Sequence, residues 1–278
     1  MPTSQAPASP ADLAARFAAL HRGPALFVLP NAWDVPSALL LEAAGFPAVA
    51  TTSAGVAWAL GYRDGETLPT SLLVDTVTRL ASLLHVPLSV DLEAGYGRTP
   101  EEVAKVIRAV VGAGAVGVNI EDRDYSGKAV LREIALQVEV LRAAREAARA
   151  MGVPLFLNAR TDIYLAAVGP EGDRRERTLE RLQAYVAAGA DGVFVPALRE
   201  PADIEAVAGG AGAPLNVLAR PGVPFVPELT RLGAARLTVG SGAMLSAYGK
   251  LRRIAAELQG PGTYGALAED GIPYADLQ

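Results

Sequence analysis

Eight short apolar runs, each followed by a longer stretch of helical spacing, constrain this chain more than any other feature. The runs are ALFVLPN (25–31), AVATTS (48–53), PLSVDLE (87–93), GVNIED (117–122), PLFLNAR (154–160), GVFVPA (192–197), LNVLA (215–219) and RLTVGS (236–241). Most are apolar almost throughout, as strands covered on both faces of a parallel sheet must be. Between and after them, helical periodicity spans 35–45, 69–84, 99–114, 128–152, 175–190, 200–210, 224–233 and 243–260, with 224–233 the weakest. The stops repeat one form. AAGFPAV, GAGAVGV, AAGADGV and RLGAARL each end a helix on glycine shortly before a strand, which suits a left-handed C-cap. Thr99-Pro100-Glu101-Glu102 marks a start, with an N-cap residue before proline and two acids.

Eight βα units in about 250 residues predict a (β/α)₈ TIM barrel of the α/β class. A doubly wound sheet shows the same alternation, but it expects a glycine-rich phosphate turn after the first strand. Here that turn is NAWDVP. No linker interrupts the pattern, so 1–278 reads as one domain, with 1–10 a disordered tail. At 51% hydrophobic residues a chain of this length can bury a large core. Net charge is a mild −5 without a basic patch, which argues against nucleic acid as a partner. Cysteine is absent, which excludes disulfides, thiolate metal sites and a cysteine nucleophile. The N-terminus lacks a basic start and an apolar core, and no window is long enough for a membrane span. A cytoplasmic protein that does not engage membranes is expected.

A barrel carries its chemistry at the C-terminal strand ends. Those ends read Asn31, Thr52-Ser53, Asp91 and Glu93, Glu121-Asp122, Arg160, Pro196, Asn216 and Ser241, polar in seven of eight cases. Strand alternation would point Asp91 and Glu93 to one side, roughly 7 Å apart, where two charges repel by about 2–3 kcal/mol at an effective dielectric near 20. Glu121 on the next strand adds to the repulsion. Such a set needs protonation or a cation, and oxygen ligands without His or Cys suit Mg²⁺ or Mn²⁺. Arg160 could clamp a substrate carboxylate or bridge to Glu121. A cation beside an arginine predicts a small anionic carboxylic acid as partner. The turn at Thr52, Ser53 and Ala54 could hold a second acid group. His21, His85 and Trp33 read as structural, and Trp58 lies near the mouth.

At these residues the chain resembles the isocitrate lyase/phosphoenolpyruvate mutase superfamily. NAWDVPSALLLEAAGFPAVATTSAG is similar to its first unit and LGYRD (60–64) to the loop after its second strand. VDLEAGYG is similar to its D-x-D-x-G-[YF]-G motif with Glu93 in place of the second Asp. NIED and ARTD are similar to its third acid and its arginine strand. The resemblance implies a barrel whose last helix swaps onto a partner, in homodimers or homotetramers. It implies Mg²⁺ held, partly through water, by Asp64, Asp91, Glu93 and Glu121. It also implies acid groups bound at Thr52, Ser53, Ala54 and Arg160, with Asn216 matching an asparagine of the methylisocitrate lyase branch. The lyases' K-[KR]-C-G-H loop is replaced by EDRDYSGKAV, without Cys or His, and the mutases' longer loop is matched only roughly by Lys128. The expected activity is a Mg²⁺-dependent C–C lyase or decarboxylase acting on a small 2-oxo or 2-hydroxy acid through a metal-stabilised enolate. Tyr125, Ser126 and Lys128 are the candidate acid/base groups on the short loop. Phosphonopyruvate hydrolysis or mutation is the alternative, and binding of a 2-oxo acid with little turnover is a third reading.

Overall fold

The computed structural model describes residues 9–277; the greater part of the expected tail, residues 1–8, lies outside the described residues. The strands are β1 (Phe27–Leu29), β2 (Asn31–Ala32), β3 (Val49–Thr51), β4 (Leu88–Asp91), β5 (Gly117–Glu121), β6 (Phe156–Arg160), β7 (Gly192–Phe194), β8 (Leu215–Leu218) and β9 (Arg236–Thr238). All pair in parallel, in the order β1-β9-β8-β7-β6-β5-β4-β3-β2. The two ends of that order are consecutive in sequence, so the sheet closes on itself into the expected barrel. The first apolar run is therefore one strand in two parts. Pro30 has no N–H to give the ladder, and the chain changes neighbours there: β1 pairs with β9, β2 with β3.

Asn31 stitches this seam. Its Nδ2 donates to the Thr51 carbonyl at 2.7 Å, and its Oδ1 accepts from the Val239 and Gly240 N–H groups at 2.9 and 2.8 Å. A side chain thus supplies the bonds that the interrupted ladder leaves out.

The helices are α1 (Pro10–Leu20), α2 (Val35–Ala43), α3 (Ser53–Ala59), α4 (Thr70–Leu83), α5 (Pro100–Gly112), α6 (Ile134–Ala150), α7 (Arg174–Ala187), α8 (Pro201–Gly210), α9 (Val226–Arg231), α10 (Gly242–Gln259) and α11 (Gly265–Ala268). The Thr99 side chain accepts from the Glu102 N–H, as the start signal predicts. The glycines that stop α2, α5, α7 and α9 (Gly45, Gly114, Gly189 and Gly233) all have positive φ.

Two departures matter. Helix α6 begins at Ile134 rather than near 128, because residues 122–133 form a loop closed by an antiparallel bridge between Arg123 and Leu131. The expected tail also ends too late. Ser9 caps α1 in a reciprocal bond pair with Asp12, and this helix closes the N-terminal end of the barrel. It buries Ala14 and Phe17 against Phe27, Leu29, Ala48, Ala50, Val116 and Phe156. Gly117 is bare because a Cβ there would lie 2.6 Å from the Phe17 ring. His21 stacks on Phe156 with ring centroids 4.0 Å apart, and burial first, then the Arg236 charge, lowers its pKa to about 3. His21 is thus structural, as expected. His85 is exposed and faces Glu42.

Helix α10 stands apart. Of its eighteen residues only Met244 is buried, while Leu245, Tyr248, Leu251 and Leu258 are exposed. Among the described residues no helix is long and apolar enough to cross a membrane.

Phe17 anchors the barrel floor, so Phe17→Ala should cost about 3–5 kcal/mol in urea unfolding. A loss below about 1 kcal/mol would mean that α1 merely rests on the surface.

Candidate active site

At the C-terminal mouth a cavity of about 130 Å³ is lined by Thr52, Ser53, Ala54, Asp64, Asp91, Asn119 and Arg160 on its polar side. Leu165, Phe194, Pro196 and Leu218 add apolar surface, and Asn31, Thr238, Gly240 and Ser241 complete the lining. A cavity of that size has room for several waters or, in their place, a small acid.

Asp91 is the last residue of β4. Its backbone N–H donates to Thr51 Oγ1 at 2.9 Å, and its Oδ2 accepts from the Ser53 N–H at 3.1 Å. Its Oδ1 is buried and has no partner. Asp64 lies at the rim, open to solvent on one side. The part of it shut off from water, and next the charge of Asp91, raise its pKa.

Glu93 differs from the expectation. Strand β4 ends at Asp91, and Glu93 adopts a left-handed backbone with φ of 49°. Strand alternation therefore does not carry it to the same side as Asp91, and it does not line the cavity. Its Oε2 accepts from the Glu66 N–H at 2.6 Å and its Oε1 from the Tyr96 hydroxyl at 2.8 Å. Glu66 and Tyr96 have left-handed backbones as well, and the Tyr96 N–H donates to Glu66 Oε1 at 2.6 Å. Three strained non-glycine residues are thus locked by one another around a single carboxylate, a concentration typical of functional sites. Burial pushes Glu93 up to about 7, aided by the charges of Asp64 and Asp91 against the pull of Tyr96.

Arg160 meets two acids. Its Nη1 lies 2.7 Å from Glu121 Oε2, while Nε and Nη2 donate to the two Asp162 oxygens at 2.7 and 3.1 Å. The guanidinium also stands 5.6 Å from the Phe194 ring centre. The structural bridge to Glu121 is thus present, and Arg160 also lines the cavity. Glu121 is buried, which raises its pKa, and Arg160 pulls it back. The Tyr125 hydroxyl donates to Glu121 Oε1 at 2.6 Å, and burial raises the tyrosine pKa.

Among the described residues no three Asp, Glu, His or Cys side chains converge on one point to grip an ion. Asp64 and Asp91 reach the cavity, while Glu93 and Glu121 sit behind its wall. The set still fits a hard divalent cation. A buried carboxylate oxygen without a partner costs free energy, and a cation beside Asp91 and Asp64 would satisfy it.

Other expected residues lie elsewhere. Ser126 and Lys128 are exposed and line a separate hollow with Arg98 and Arg132; the 122–133 loop turns their side chains away from the cavity. Asn216 is fully buried one layer below the mouth, its Oδ1 accepting from Thr238 and its Nδ2 without a partner. Leu218, two residues on, takes the place at the wall. Asp162, Glu66 and Asn119 were not anticipated. The Arg160-Thr161-Asp162 spacing signals the first, whereas nothing local marks Glu66. Asp122, next to Glu121, points away into a network with Arg181 (3.1 Å) and the Tyr185 hydroxyl (2.8 Å). Arg132 ties the mouth loops together by donating to the carbonyls of Ala94 and Gly97.

A parallel barrel with acids and a buried arginine at its C-terminal mouth is an enzyme architecture. The chain belongs to the phosphoenolpyruvate phosphomutase family, whose model matches residues 17–259. An uncharacterized Mycobacterium tuberculosis protein is 35% identical over 93% of both chains. The 2-methylisocitrate lyase of Escherichia coli is 34% identical over 72% of this chain and 64% of its own. Among solved structures, a Burkholderia cenocepacia protein described as a lyase/mutase is 37% identical, covering 96% of this chain and 95% of its own, with a TM-score of 0.88. An oxaloacetate acetylhydrolase bound to its product oxalate is 26% identical, covering 95% and 92%, with a TM-score of 0.81. This protein is an enzyme of the isocitrate lyase/phosphoenolpyruvate mutase type.

The folded chain holds the Glu93 proton more tightly than the unfolded chain, whose carboxylate titrates near 4.5. The stability this proton contributes is full below that value and is lost as pH rises to about 7, up to about 3 kcal/mol. Urea midpoints in chelator should therefore fall between pH 5 and 7.5, and Glu93→Gln should flatten the fall. An equally steep fall in the variant would place the titration elsewhere.

Proposed function

We propose that this enzyme is a divalent-cation-dependent lyase that cleaves a C–C bond in a small 2-oxo or 2-hydroxy di- or tricarboxylic acid. The observation that carries the reading is the cavity itself: an unpartnered Asp91 oxygen, Asp64 and Arg160 around a space sized for a small acid. Asp91 and Asp64 would hold Mg²⁺, or Mn²⁺, with Glu93 and Glu121 behind them, and the ion would supply positive charge to an oxygen that becomes negative during cleavage.

The chain's own residues have distinct tasks. Arg160 offers a fixed positive charge to the acid's carboxylate, and its pairing with Glu121 and Asp162 holds the guanidinium in one orientation. Thr52 and Ser53 offer hydroxyls. Ala54, in the first turn of α3, has an N–H that no carbonyl of its own helix can reach. Together they suit a second acid group. The apolar wall of Leu165, Phe194, Pro196 and Leu218 excludes water from the reacting end. Tyr125 acts here as the neutral donor that orients Glu121. Ser126 and Lys128, facing outward, take no part in this reading.

The absence of cysteine separates the chain from the lyase loop pattern, so its substrate is taken to differ from that of the 2-methylisocitrate lyases. A second reading, P–C bond chemistry on phosphonopyruvate, is favoured by the family model that matches the chain. For quaternary structure, the open apolar face of α10 supports a homodimer or homotetramer in which a second copy covers that helix.

Proton and phosphorus NMR with Mg²⁺ and oxaloacetate, isocitrate, 2-methylisocitrate, a malate series and phosphonopyruvate tests the reading. A new 2-oxo acid or other C–C cleavage product is expected, with turnover at least about 100-fold lower in Asp91→Ala. Phosphate release would move the enzyme to P–C chemistry, and full activity of Asp91→Ala would overturn the site.

A further inference from the structure

Asn119 lies on β5 two residues before Glu121 and lines the cavity. Its side chain is fixed from below. The Arg236 Nη2 donates to Asn119 Oδ1 at 3.2 Å, and Asn158 Nδ2 donates to the same oxygen at 2.8 Å. Arginine carries only donors, so the Asn119 atom that meets it must be the oxygen. An amide cannot turn its oxygen toward Arg236 without turning its nitrogen the other way. The ambiguity that usually attends an asparagine amide is removed here by chemistry. Among the described residues no group accepts a hydrogen bond from the Asn119 nitrogen, which belongs to the cavity wall.

Arg236 itself is unusual. Among the described residues it is the largest fully buried side chain, and its Nε and Nη1 have no partner there. A buried cation with two idle donors is costly, and Asn119 Oδ1 is its one hydrogen-bond partner in the described structure.

We propose that Asn119 is a specificity-determining residue, its amide nitrogen donating to an oxygen of the bound acid, and that Arg236 is the positioning residue that holds it in that orientation. The assignment rests on the small-acid reading of the cavity. It gives that cavity a neutral donor deep in the barrel, between the Asp91 and Arg160 strands. A planar acid lying among Asp91, Arg160 and the Thr52–Ala54 turn would present one oxygen to Asn119. Acids with a carbonyl or hydroxyl oxygen at that place would be selected over those with a methyl group or hydrogen there, because an unmatched buried donor is penalised.

The test uses calorimetric binding of oxalate, the smallest planar 1,2-dicarboxylate, to the full chain in saturating Mg²⁺. Asn119→Asp keeps one oxygen toward Arg236 and Asn158, so it should fold, but its second oxygen faces the cavity as an acceptor where the amide nitrogen was a donor. Oxalate affinity should drop at least about 100-fold in Asn119→Asp and about 10-fold in Asn119→Ala. Arg236→Met should weaken binding several-fold in the wild-type background and have no further effect beside Asn119→Ala. Unchanged affinity in both Asn119 variants would overturn the assignment while leaving the small-acid reading intact. Equal losses from Arg236→Met in both backgrounds would overturn the positioning role. If the wild-type protein did not bind oxalate, the small-acid reading would fail, and this assignment with it.

Discussion

The mouth of this barrel depends on one buried cation between two acids. Arg160 holds Glu121 on one side and Asp162 on the other, and all three are nearly closed to solvent. Without Arg160, Glu121 and Asp162 would be uncompensated charges in low dielectric, a state that costs several kcal/mol. With it, the strand ends of β5 and β6 are fixed in register and the guanidinium is aimed once. Asp122 repeats the device one residue away, pinning the same strand ends to α7 through Arg181 and Tyr185. The site is rigid because its charges are paired on the side facing the protein.

Pairing is incomplete on the side facing the cavity. Asp91 has one oxygen without a partner, and Asp64 stands next to it. Glu93, behind them, is bound by Tyr96 and the Glu66 N–H in a strained turn. The chain holds this excess of negative charge ready for something positive, and the surrounding hydrogen bonds keep the acids from relaxing apart. Under the proposed reading, a divalent cation would sit against Asp91 and Asp64 at the strand ends.

The barrel was legible because its signals are local and repeated. Apolar runs, helical periodicity and glycine stops such as Gly114 and Gly189 each depend on a few neighbouring residues. The seam at Pro30 was less legible, since proline shows that a ladder bond is missing but not that Asn31 replaces it. Helix α1 carried a readable start in Ser9-Pro10-Ala11-Asp12, hidden by the polar segment before it. In the site, Asp91, Arg160 and the Thr52–Ala54 turn reach the cavity because each ends or follows a strand. Glu93 escaped the alternation rule because its backbone is left-handed, which tertiary contacts with Glu66 and Tyr96 hold in place and no local pattern encodes. Ser126 was placed by loop position and Lys128 also by a rough match to the mutases' loop, and both lie on the loop closed by the bridge between Arg123 and Leu131, exposed and away from the cavity.

The central claim is that the unpartnered face of the acid set is completed by a divalent cation at Asp91. Titrating Mn²⁺ into the chelator-treated protein and following its electron paramagnetic resonance signal tests this without any substrate. One bound ion per chain is predicted, displaced by Mg²⁺ and weakened at least about 10-fold by Asp91→Asn. No bound ion, or binding untouched by the variant, would contradict the account.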